Sequence, residues 1–110
     1  MEMDQDTQAK IQELQGMEQN LQHLVMQKQA FQMELTETEN AFKEVSSSTN
    51  DIFKLVGNIM IKADKAATEE DLTKKKELLA LRLKSIEGEE KDLTDKAETL
   101  KADVMAKIQG

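Results

Sequence analysis

The stretch Ile52-Phe53-Lys54-Leu55-Val56-Gly57-Asn58-Ile59-Met60-Ile61-Lys62 decides how the rest of this 110-residue chain is read. Two runs rich in β-branched residues flank a Gly-Asn pair, the signal of a two-residue hairpin turn. With that turn, Val56 faces Ile59 and Leu55 faces Met60. Side chains alternate along a strand, so Phe53, Leu55 and Met60 share one face. Ile52, Val56, Ile59 and Ile61 share the other, and both faces are apolar. A lone hairpin is marginal in water, and two apolar faces with two free edges invite aggregation. The other apolar residues are committed to a helical seam and leave nothing to cover it. The hairpin is therefore expected to pair with strands of other chains, in an oligomer held together at this point.

Outward from the hairpin, Ser46-Ser47-Ser48-Thr49-Asn50-Asp51 reads as a helix stop and loop. Before it, Leu14, Leu21, Lys28, Leu35 and Phe42 recur every seven residues, and Met17, Leu24, Phe31, Thr38 and Val45 follow three residues behind. After the hairpin, Leu72, Leu79, Ile86, Leu93 and Leu100 form one set and Lys76, Leu83, Glu90, Ala97 and Val104 the other. A stripe this narrow is a coiled-coil seam. The spacing predicts a helix over about 5–48, a hairpin over about 51–63 and a helix over about 68–108. Thr68-Glu69-Glu70-Asp71 resembles a capping box opening the second helix. Helices of about 40 residues run to ~60 Å. An antiparallel pairing centred on the hairpin sets Leu21 against Leu100, Leu24 against Ala97, Leu35 against Ile86 and Phe42 against Leu79. The same alignment brings Lys28 near Glu90, where a bridge would fix the register. Gly16 and Gly88 fall inside the helices, away from the seam. The fold class is mostly α: a long antiparallel two-helix coiled coil joined by a single β-hairpin.

Composition narrows the function. The chain has three Phe and no Pro, Cys, Trp or Tyr, which excludes a thick globular core and leaves long helices unbroken. Without Cys there are no disulfides or thiolate metal sites. No apolar run approaches the ~20 residues that span a bilayer, and no secretory signal opens the chain, so a cytoplasmic protein is expected. The net charge of −7 argues against nucleic acid or an anionic membrane as partner. Residues 1–55 carry four basic and ten acidic groups; residues 56–110 carry eleven and twelve. Glu87, Glu89, Glu90 and Asp92 spread around a helix as a solvated face rather than a metal site, and the lone His23 lies off the seam. No catalytic constellation or phosphate loop is present, so neither an enzyme nor a cofactor is expected.

The helix–hairpin–helix plan, the Gln-rich first helix and the hairpin motif resemble the beta-type subunits of prefoldin. The segment Gln27-Lys28-Gln29 followed by Glu34-Leu35-Thr36-Glu37 is similar to that family's first helix. One hairpin points to the beta type, since alpha-type subunits carry two. Small size without long tails looks archaeal. The resemblance covers essentially the whole chain, so residues 1–110 are taken as one prefoldin-like domain. It implies a heterohexamer of two alpha-type and four beta-type subunits, whose hairpins join in a β-barrel base. It also implies ATP-independent binding of unfolded polypeptides at the coiled-coil tips and their delivery to a group II chaperonin.

On that plan the tips carry Met1, Met3, Ile11, Leu14 and Met17 from one helix and Leu100, Val104, Met105 and Ile108 from the other. Five of the seven Met, at 1, 3, 17, 26 and 105, lie toward the termini, and Met suits surfaces that take many partners. Seam filling and a frayed end explain the same residues without binding. The oligomerisation residues are Ile52, Phe53, Leu55, Val56, Gly57, Ile59, Met60 and Ile61. The alternative function is a structural coiled-coil tether or scaffold, but a tether needs only a loop where this chain has two apolar strand faces.

Overall fold

Helix formation follows from long Pro-free runs of Gln, Glu, Lys, Leu and Ala, all good helix formers. The computed structural model describes residues 4–109. Its elements in order are α1 (Gln5–Ser47), β1 (Ile52–Val56), β2 (Ile59–Ala63) and α2 (Lys65–Gln109). The residues form two compact units. One comprises the described parts of Met1–Gln29 and Lys84–Gly110, and the other is Ala30–Leu83.

Asp4 caps α1: its Oδ1 accepts the Thr7 backbone N–H at 2.7 Å, satisfying one of the free donors of the first turn. At the far end Ser48 N–H bonds the Val45 carbonyl at 3.3 Å, and the Ser48 hydroxyl bonds Asn50. Serine competes with the helix for backbone partners in this way and so stops it. The second helix departs from expectation. Thr68 does not open α2, which begins at Lys65. Asp64 is the cap, with Oδ2 accepting the Ala67 N–H at 2.9 Å. Thr68 sits one turn inside, its hydroxyl donating back to the Asp64 carbonyl at 2.7 Å. A carboxylate directly before Lys65-Ala66-Ala67 outcompetes a threonine hydroxyl for the cap.

The strands pair antiparallel in the expected register, with Leu55 opposite Met60 and Val56 opposite Ile59. Gly57 has φ of 61°, and no non-glycine residue among those described has positive φ. Glycine alone at the first central position is the type II′ arrangement, whose twist suits a hairpin.

Burial follows the heptads. Leu79, Leu83, Ile86, Ala97 and Val104 are the buried apolar residues, and all come from the expected seam sets. The sets of α1 are at least half-buried throughout. Thr38 interrupts the seam but is buried at no cost in hydrogen bonding, since its hydroxyl donates to the Glu34 carbonyl at 2.8 Å. Lys76 was expected in the seam and is exposed. Burying an ammonium without a carboxylate partner costs more than the position returns. Thr7, seven residues before Leu14, is buried as well, so the stripe runs one heptad further than its apolar members indicate.

A Cβ built on Gly16 or Gly88 meets nothing within 4 Å. Gly16→Ala and Gly88→Ala should therefore each raise stability by about 1 kcal/mol, and Asp64→Ala should lower it by about 1 kcal/mol, as measured by denaturant unfolding followed by circular dichroism. A loss of stability in either alanine variant would reveal a packing role for that glycine.

Candidate functional site

The hairpin presents its apolar side chains to solvent. Phe53, Leu55, Val56, Ile59, Met60 and Ile61 are between 49% and 68% exposed, whereas Ile52 is half-buried at the strand start. The register places Phe53, Leu55 and Met60 on one side and Ile52, Val56, Ile59 and Ile61 on the other. Neither side is covered by the described residues. Lys62 and Asp51 form an exposed ion pair at 3.5 Å. Lys65 donates from Nζ to the Ser48 carbonyl at 3.0 Å, tying the loop before β1 to the start of α2.

The second candidate region lies in the unit that holds both helix ends. Met1 and Met3 fall outside the described residues. Ile11, Leu14, Met17 and Leu100 are half-buried, while Met105 and Ile108 are exposed. Val104 is only 5% exposed and fills the seam, so it offers no binding surface. The end of this unit is closed by charge. Lys107 Nζ lies 2.9 Å from Asp6 and 3.9 Å from Asp4, and Asp6 also pairs with Lys10 at 3.5 Å. The Thr7 hydrogen bonds hold the Asp4 carboxyl below its ordinary value, and Lys107 does the same for Asp6. Asp6 and Asp4 in turn raise Lys107. This clasp was not read from the sequence, because its members stand about 100 positions apart; Lys107, seven residues beyond Leu100, was the available signal.

Within the same unit Lys28 Nζ meets Glu90 Oε1 at 2.9 Å, as the register argument requires. Met17 and Leu100 line one surface recess, and Leu24 and Leu93 line another. A seven-residue repeat matches itself equally well after a slip, so periodicity alone does not choose the alignment. In the other unit Lys75 pairs with Glu34 at 3.4 Å. The Arg82 guanidinium lies 5.7 Å from the Phe31 ring centroid, a cation–π distance. Leu78 and Leu81, off the seam of α2, are exposed neighbours that the heptad reading passed over.

Among the described residues no group of three or more His, Cys, Asp or Glu is placed to hold a metal ion. Among the described residues no helix is long and apolar enough to cross a membrane. The arrangement offers an uncovered apolar ribbon and a charge-closed helix pair with exposed Met105 and Ile108.

Comparison with known proteins gives the family context. A family model described as prefoldin subunit matches residues 8–110. The chain is 40% identical over 95 residues to prefoldin subunit beta of Thermococcus onnurineus, covering 84% of this chain and 82% of that protein. It is 36% identical over 104 residues to prefoldin subunit beta of Thermococcus kodakarensis, covering 93% and 89%. The crystal structure of the prefoldin beta subunit from Thermococcus strain KS-1 superposes with a TM-score of 0.87 at 34% identity, covering 96% of this chain and 94% of that one.

Two outcomes follow from the charges. Lys28→Glu and Glu90→Lys should each lower stability, and the double swap should recover most of the loss; no recovery in a double-mutant cycle would show that the contact does not set the register. The Asp4 and Asp6 contribution is present above pH 3.8 and is lost as pH falls through their lowered folded values. The Lys107 contribution is present below 10.5 and is lost as pH rises through its raised value. Protection of the Thr7 amide in hydrogen exchange should fall at both extremes.

Proposed function

Because the chain belongs to the prefoldin family as a beta-type subunit, we propose that it works as an ATP-independent chaperone subunit in the cytoplasm. In this reading two alpha-type and four beta-type subunits join through their hairpins into a β-barrel base. The helix ends hold unfolded polypeptides and release them to a group II chaperonin.

The observation that carries the assembly is the ribbon with two uncovered apolar faces. Covering what remains exposed of each side chain contributes on the order of 1 kcal/mol, and the open backbone edges gain ladder hydrogen bonds only from another strand. Exposed Met105 and Ile108 support client binding at the helix ends. Their side chains are flexible or apolar, and neither supplies a specific shape, as a surface for many unfolded sequences requires.

Light scattering of the chain mixed with an alpha-type subunit should show a hexamer. Phe53→Ser with Leu55→Ser should leave subunits unassembled, and persistence of the hexamer would remove the hairpin from the interface. Met105→Ser with Ile108→Ser should leave assembly intact and weaken suppression of client aggregation severalfold. Full protection by that variant would exclude these residues from client binding.

A further inference from the structure

Two recesses adjoin along one flank of the helix pair in the unit that contains residues 4–29 and 84–109. The first, about 410 Å³, sets Met17 and Leu100 among Glu13, Asp95, Lys96 and Asp103. The second, about 450 Å³, sets Leu24 and Leu93 among His23, Glu89, Asp92 and Lys96. Lys96 lines both. Met17 and Leu24 are seven residues apart, as are Leu93 and Leu100, a separation of about 10 Å along a helix. Five carboxylates and one ammonium surround these apolar residues. Among the described residues none of the five carboxylates lies within salt-bridge distance of a cation, although Asp103 is attracted by Lys107 at longer range.

We propose that these recesses form a docking groove for extended, unfolded segments in which Lys or Arg side chains are interspersed with apolar ones. The occupant follows from charge and spacing together. An unfolded segment in the polyproline II conformation has three residues per turn and rises about 3.1 Å per residue, so side chains three apart share a face about 9 Å apart and reach both recesses at once. A Lys or Arg side chain lays its methylene stem on the apolar floor while its charged head reaches the surrounding carboxylates. A neutral segment gains only the floor, and an acidic one is repelled. Exposed ion pairs are individually weak, so the preference builds over several contacts and weakens with salt. The assignment rests on the client-binding reading and deepens it by naming the class of segment. It uses neither Met105 nor Ile108.

The test titrates the assembled hexamer with two short unstructured fluorescent peptides of equal apolar content, one carrying Lys at every third position and the other Ser. At low salt the cationic peptide should bind about tenfold tighter. The combined variant Glu13→Gln, Asp95→Asn and Asp103→Asn should bring the two to near parity while leaving the Ser peptide's affinity unchanged. Lys96→Glu should widen the preference, and this opposite change keeps the test available if the neutralised chain does not assemble. Equal affinities in the native hexamer, or a preference untouched by both variants, would overturn the groove while leaving client binding in place. Failure to bind either peptide would overturn client binding and the groove together.

Discussion

The apolar side chains of β1 and β2 stand on both sides of a ribbon only two strands wide, and the described residues leave them exposed. Leu79, Leu83, Ile86, Ala97 and Val104 are already buried in the helical seam. A globular protein resolves such a ribbon by folding a helix across it; here each helix carries a stripe just wide enough for a helical partner. Membership in a family of assembling subunits is consistent with this shortage, because the missing cover has to come from other chains.

The seam is deliberate about its polar positions. Thr38 returns its hydroxyl to its own helix, and Lys28 meets Glu90 at 2.9 Å. Both charged side chains keep part of their exposure, so the pair contributes about 1 kcal/mol or less to stability. Its greater use is to disfavour slipped alignments, which would leave two charges unpaired in the seam. The Lys107 clasp closes the end of this unit in the same way, with charge where a longer apolar stripe would have served.

Much of this was legible in the residues. Gly57-Asn58 between two apolar runs fixed strand register, and the heptads identified the buried side chains of α2. What was not legible involved competition between equivalent choices. Asp64 and Thr68 both have capping chemistry, and only the backbone shows which carbonyl and carboxylate face the free N–H groups. The heptad repeat tolerates a slip, so periodicity alone does not choose the alignment of the two helices. Lys76 fits the period but stays exposed, and Thr7 fits it without being apolar. Of the expected helix-end residues, Met105 and Ile108 are open and Val104 is not, a distinction that depends on how two helices face each other.

Gly16 and Gly88 lie in the same unit, in open space, with no close neighbour that needs their missing side chain. The helical stretches of Ala30–Leu83 contain no glycine. Together the two residues weaken one unit by about 2 kcal/mol relative to an alanine-substituted chain. Opening motions begin where local stability is lowest, so these two helix-interior glycines make the stretches around them the easier ones to open.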